Sequence, residues 1–232
     1  MRFVPYFIIL SCLITLGCNS TPVGLASYNT SIEDSITEAE ACVLNTTIVQ
    51  VMNNTSGSRG SGVIIDENYA LTAYHVIADS TDITVERISA TSIWGKKAKL
   101  VYGDPKLDLA LLKADFTGRG ISSISHSPIR QYQKCVMIGH QKGLATPVLT
   151  EGRVDEYNTN QYIRVTTIGY FGSSGCGIFV RGESNRWELA AIAQRILVDE
   201  QRRQVLSWVI WGSSQKSLFK FMRDAGEYEA TH

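Results

Sequence analysis

Gly172-Ser173-Ser174-Gly175-Cys176-Gly177-Ile178-Phe179-Val180 is a run of small residues that feeds directly into an apolar strand. Its three glycines admit backbone conformations that a side chain forbids, so a serine among them projects from a tight bend. Such a bend gains chemical meaning only if a base and an orienting acid stand elsewhere in the chain. Both have candidates upstream: His75 in Leu71-Thr72-Ala73-Tyr74-His75-Val76-Ile77, and Asp108 in Lys106-Leu107-Asp108-Leu109-Ala110-Leu111-Leu112-Lys113.

The segments around these residues read as short strands. Six precede the midpoint: 47–52, 62–66, 69–72, 83–88, 97–102 and 109–114. Six follow it: 135–139, 147–157, 161–167, 178–181, 188–198 and 204–211. They are rich in β-branched and aromatic residues and are separated by turn clusters such as Asn53–Gly60 and Asn158-Thr159-Asn160. Many short strands at this spacing predict an all-β barrel or sandwich. The polar stretch 118–128 crosses between the two halves. Thr37–Ala41 predicts a short helical lead-in, and Leu218, Phe219, Phe221 and Met222 form the apolar face of a terminal helix capped by Ser213 or Ser214 and ended by Ala225-Gly226.

Composition narrows the function classes. Among 232 residues, 22 Lys and Arg balance 22 Asp and Glu, and no basic run marks a nucleic-acid footprint. Phe3 to Leu16 is almost wholly apolar, follows Arg2, and is too short for a bilayer span of about 20 residues. It fits the apolar core of an export signal. Thr15-Leu16-Gly17-Cys18 resembles a bacterial lipoprotein signal, which implies lipidation of Cys18 after removal of residues 1–17. A plain cleaved signal with secretion is the alternative. Residues 18–40 then read as a tether and 41–226 as the folded domain. Asn19, where an aspartate commonly retains lipoproteins at the inner membrane, favours the outer membrane. Cys42, Cys135 and Cys176 remain, allowing at most one disulfide. No CxxC or HExxH motif suggests a metal site.

Taken together, the segments around His75, Asp108 and Ser174 resemble the trypsin-like serine proteases, specifically the HtrA (Deg) branch without an appended PDZ domain. Gly60-Ser61-Gly62-Val63-Ile64-Ile65, Val136-Met137-Ile138-Gly139 and Trp208–Ser213 support the resemblance, which covers roughly residues 43 to 224. It implies two six-stranded Greek-key β-barrels of the chymotrypsin type, at about 43–117 and 128–212, and a C-terminal α-helix at about 213–224. It also implies a serine endopeptidase acting on protein or peptide substrates in the bacterial cell envelope, facing the periplasm, without a cofactor. A catalytically inactive binding module on the same scaffold is the rival reading. The implied roles are Ser174 as nucleophile, His75 as base, Asp108 as orienting acid, and the backbone N–H groups of Gly172 and Ser174 as oxyanion donors. Asp104, in the turn Gly103-Asp104-Pro105, is the rival acid, and Ser173 the rival nucleophile.

The resemblance also implies a substrate pocket at Ile168, Ile192, Ala193, Gln194 and Arg195. Ile168 stands where an aspartate selects basic residues, so cleavage after Lys or Arg is disfavoured. Ser173, where digestive relatives carry aspartate, implies no zymogen switch of their kind. Cys176-Gly177 replaces the usual Gly-Pro. Cys176 is then a small buried side chain, or a strained one if its backbone needs positive φ. His126, His140 and His232 are expected at the surface or in loops.

Overall fold

The computed structural model describes residues 35–88, 93–158, 162–199 and 204–231. The export signal, Cys18 and His232 lie outside the described residues. Twelve strands form two closed barrels. The first contains β1 (Ile48–Asn53), β2 (Arg59–Ile64), β3 (Tyr69–Thr72), β4 (Ile83–Ile88), β5 (Ile93–Asp104) and β6 (Leu109–Lys113). The second contains β7 (Lys134–Gly139), β8 (Val148–Asn158), β9 (Tyr162–Thr166), β10 (Gly177–Arg181), β11 (Trp187–Asp199) and β12 (Gln204–Ser213). Around the first barrel the order is β1-β2-β3-β6-β5-β4, and the second repeats it as β7-β8-β9-β12-β11-β10. The third strand of each barrel skips two neighbours to pair with the sixth, the long return of a Greek key. Closure leaves neither sheet with an open edge.

Alternation along the strands explains why they read as nearly continuous apolar runs. Val49 and Val51 point into the first barrel, whereas Ile48 joins a core that lies between the barrels. Ile178 and Val180 point into the second barrel, and Phe179 into the shared core. Strands that bury both faces have no polar period. The shared core also takes Val63, Leu71, Leu109, Val136, Ile138, Leu189 and Ile192. The barrels are thereby held face to face by contact of their walls.

Two helices seal this seam. The lead-in helix α1 (Glu38–Thr46) is longer than its sequence suggests. Thr37 and Glu40 form a reciprocal capping box, and Leu44 enters the shared core. Glu40 also pairs with Arg181 at 2.6 Å. The single turn α2 (Tyr74–Ile77), which packs into the first barrel, carries His75. The terminal helix α3 (Gln215–Thr231) buries Leu218, Phe221 and Ala225 in the shared core. Ser214 caps it, its Oγ accepting from Ser217 N–H at 3.0 Å. Ala225-Gly226 does not end α3, because contacts beyond that point extend it: Tyr228 packs on Tyr102 and Glu229 accepts from Lys113.

β2 begins earlier than glycine content suggests. Gly60 and Gly62 belong to the strand, paired with Val51 and Val49. A Cβ on Gly60 would lie 2.7 Å from Ser174 O. These glycines permit close approach and do not mark a turn.

Candidate active site

His75, Asp108 and Ser174 meet where the first barrel faces the second. The base comes from the turn that follows β3. Tyr74 lays its ring where a side chain on Gly103 would otherwise stand, which fixes the start of α2. Asp108 precedes β6 and adopts φ 51°, a left-handed conformation that aspartate tolerates better than most residues. Four hydrogen bonds hold this acid and its loop. Its Oδ1 accepts from His75 N–H at 2.9 Å, and its carbonyl from Tyr74 N–H at 3.3 Å. The Gln194 amide donates to the carbonyls of Leu107 at 2.6 Å and Asp108 at 3.1 Å. Asp104 instead accepts from the backbone of Lys106 and Leu107 within its own turn, and so takes no part in the site.

His75 Nδ1 stands 2.8 Å from Asp108 Oδ2, and its Nε2 stands 2.7 Å from Ser174 Oγ. An ionised carboxylate can only accept, so the neutral ring carries its proton on Nδ1 and leaves Nε2 as the acceptor for the serine hydroxyl. The imidazole is about half exposed, with 48% of its side-chain surface free, while Asp108 retains 14%. A substrate can therefore reach the base, while the acid is shielded.

The turn that carries Ser174 is built on two glycines in the left-handed region, Gly172 at φ 87° and Gly175 at φ 82°. At Gly175 a Cβ would fall 1.9 Å from Ser61 O, so no other residue fits. Ser173 is buried. Its N–H donates to Tyr170 O at 2.9 Å and its Oγ accepts from Tyr170 N–H, so it serves as a structural strut. Gly175 N–H donates to Ala193 O, and Cys176 N–H to Ser173 O. Ser61 N–H donates to Ser174 O at 2.8 Å, anchoring the turn to the first barrel. Among the described residues, the N–H groups of Gly172 and Ser174 have no partner. Two unpaired donors beside an activated hydroxyl are suited to a developing oxyanion.

Cys176 does not have positive φ. It is fully buried, with its Sγ 3.4 Å from Ser61 Oγ, and burial pushes its thiol up to about 12. It remains a neutral packing residue. Gly139 makes room for it, since a Cβ there would lie 2.3 Å from the sulfur. No disulfide links the described cysteines: Cys42 is exposed, while Cys135 and Cys176 are buried and free.

The expected pocket residues divide into two sets. Ile168 is 52% exposed and Arg195 is exposed beside the site. Ile192 and Ala193 bury their side chains in the cores, and their backbone clamps neighbouring segments. Ala193 N–H donates to Cys176 O at 2.8 Å, and Ile192 N–H to Ser213 Oγ at 3.0 Å. Gln194, half-buried, donates its amide to the Asp108 loop. The loop after β7 supplies residues that sequence reading missed. His140 lies in a loop, as expected, but is buried there, and burial holds its imidazole below the usual histidine range. Its N–H donates to Ser61 Oγ. Lys142 N–H donates to Phe171 O at 2.7 Å, and its ammonium lies 3.7 Å from the centre of the Tyr170 ring. Phe171 is 71% exposed. No local pattern separates these loop residues from ordinary surface positions.

A family model described as a trypsin-like peptidase domain matches residues 60–187. A probable periplasmic serine endoprotease, DegP-like, of Ectopseudomonas mendocina is 40% identical over 68 residues, 29% of this chain and 13% of that protein. A protein of the same description from Pseudomonas fluorescens is 48% identical over 59 residues, 25% of this chain and 12% of that protein. The matched stretches thus span only a small fraction of these relatives. Among solved structures, the serine endoprotease from Yersinia pestis superposes with TM-score 0.67 and 24% identity, covering 82% of this chain and 67% of that one. The HtrA-type protease AlgW with a tripeptide gives TM-score 0.68 and 23% identity, covering 81% and 63%.

Proposed function

The chain belongs to the trypsin-like peptidase family, and from that membership we propose that it is a serine endopeptidase of the bacterial envelope. The observation that carries the proposal is the hydrogen-bonded series Asp108, His75, Ser174 beside two unpaired N–H groups. Ser174 Oγ attacks the scissile carbonyl carbon while its proton passes to His75 Nε2. Asp108 holds the ring and stabilises the imidazolium. The carbonyl oxygen gathers negative charge, which the N–H groups of Gly172 and Ser174 receive. Collapse breaks the C–N bond, and the departing amine takes the proton back from His75. Water, deprotonated by His75, then hydrolyses the acyl ester and frees Ser174.

Ile168 and Tyr170 are exposed near this centre, and no carboxylate is buried among the described residues. That favours an apolar residue at the cleaved position and disfavours Lys or Arg, whose charge would lack a partner. The periplasmic description of the DegP-like relatives supports an envelope location. Cys18 supplies the lipid anchor, with residues 1–17 as the signal, a tether after it, and the protease domain following.

Degradation of an unfolded protein such as casein by the purified chain tests the reading. The proposal expects fragments from the wild type and none from Ser174→Ala. Equal fragmentation by both proteins, or by neither when both are folded, contradicts it.

A further inference from the structure

Three exposed basic residues lie in segments that adjoin the nucleophile's turn or the acid's loop, and none of them has an acidic partner among the described residues. Arg59 opens β2 and is exposed. Its neighbour Gly60 abuts Ser174 O, and the next residue, Ser61, binds that same carbonyl. Lys142 is exposed in the loop that holds Phe171, the residue before Gly172. Arg195 is exposed on β11 directly after Gln194, which binds the Asp108 loop. Each cation is thus one or two residues from a group that touches the nucleophile's turn or the acid's loop. They approach from three different segments, one in the first barrel and two in the second.

The chain as a whole does not explain this excess. Its formal charge is zero, with 22 basic and 22 acidic residues. Several acids elsewhere are matched locally: Asp82 with Lys97, Asp115 with Lys96, Glu229 with Lys113, Asp155 and Glu156 with Arg164, and Glu40 with Arg181. At the site the carboxylate in contact with the machinery is Asp108, and it is turned toward His75. Arg59, Lys142 and Arg195 form no ion pair among the described residues. Lys142 instead lies over the Tyr170 ring, which fixes its charge beside the cleft without neutralising it. The segments next to the nucleophile's turn also expose apolar groups, Ile168, Tyr170, Phe171 and Leu144.

We propose that the substrate is an acidic polypeptide segment, cleaved after an apolar residue that has Asp or Glu on both sides of it. This rests on the protease reading above and adds the charge of the substrate. The apolar group fills the rim formed by Ile168 and Tyr170. The flanking carboxylates meet Arg195 and Lys142 on one flank and Arg59 on the other. An exposed charge pair at contact distance contributes on the order of 1 kcal/mol, and several together add to affinity and to the rate of encounter. The same cations repel a basic segment.

The test uses the full chain and a matched set of quenched fluorescent peptides sharing one apolar residue, flanked by Asp/Glu, by Asn/Gln or by Lys. The proposal expects kcat/KM to favour the acidic over the neutral set by about tenfold at low salt, with the lysine set slowest. The advantage shrinks as salt rises and screens the charges. In the variant carrying Arg59→Glu, Lys142→Glu and Arg195→Glu the ranking reverses. Binding of the same peptides to Ser174→Ala protein, followed by fluorescence anisotropy, gives the ranking independently of turnover. Equal affinity and equal cleavage across the three sets overturn the proposal. Covalent labelling of Ser174 in the wild type by an uncharged phosphonate separates the two claims. Labelling with no charge preference sinks only the acidic substrate, whereas absence of labelling in folded protein sinks the protease reading itself.

Discussion

Asp108 and its loop are held by more groups than orienting His75 would require, and the surplus is informative. Its carboxylate serves His75, while its carbonyl and that of Leu107 are gripped by Gln194 across the barrel seam. The left-handed backbone at Asp108 is sustained by these bonds. Replacing Ser174 by Ala is expected to lower turnover by about 10⁶. Asp108→Asn is expected to lower it by about 10⁴, because the amide presents a donor to Nδ1 and selects the wrong tautomer. Gln194→Met, which keeps the volume but loses both donors, is expected to reduce kcat about tenfold while far-UV circular dichroism stays unchanged; the lost hydrogen bonds are worth about 1 kcal/mol each. Unaltered kcat in Gln194→Met would show that the acid loop holds itself. At this scale the sequence was readable where chemistry demands a residue type. A His, an Asp and a Ser among glycines carry their own signal. Ser61 does not, since a polar residue within a strand reads as solvent-facing until the partner across the seam is known, and Gln194, expected in the substrate pocket, showed nothing of its bonds to the Asp108 loop.

The elements fit their sequence patterns except where a distant contact overrides the local signal. β2 starts at Arg59 because its glycines answer to Ser174 and Val76, neither of which is near in sequence. α3 passes Gly226 because Tyr228 and Glu229 find partners on β5, β3 and β6. α1 is tied down by Glu40, whose carboxyl the Arg181 guanidinium holds at about 2 instead of its usual 4.5. A carboxylate whose folded pKa is depressed stabilises the fold above the unfolded value and loses that contribution as pH falls through the folded one. The clasp of α1 on β10 is therefore fully present above about pH 4.5 and weakens progressively toward pH 2. Glu40→Gln is expected to lower the melting temperature at pH 6 and to approach the wild type at pH 3. An equal difference at both pH values would assign the effect to packing rather than charge. The helical lead-in at Thr37–Ala41 was visible in sequence, but the ion pair was not, because 141 residues separate its partners.

At the scale of the molecule, one six-strand order occurs twice, and the site lies where the copies meet. Neither barrel holds a working set of groups. His75 and Asp108 come from the first, and Ser174 and the two unpaired donors precede β10 of the second. The proposed activity thus depends on the seam, and α3 is part of that seam through Leu218, Phe221 and Ala225. Phe221→Ala empties a fully buried position and is expected to cost about 3–5 kcal/mol. Urea unfolding measures the loss, and a change below about 1 kcal/mol would mean that α3 is peripheral. The strands were readable as twelve short runs, which left barrel and sandwich open, and the two barrels followed from the family resemblance. The way the barrels share a core was not readable, since inward and seam-facing residues are equally apolar in one dimension.

The central claim is that His75 and Asp108 activate Ser174 beside a formed pair of oxyanion donors. Intact-mass spectrometry after treatment with an uncharged phosphonate tests it most directly. The account predicts a single adduct on Ser174, present in the wild type and lost in Ser174→Ala, with labelling greatly slowed in His75→Ala. A folded wild type that acquires no adduct, or one that acquires it on another residue, would contradict the account.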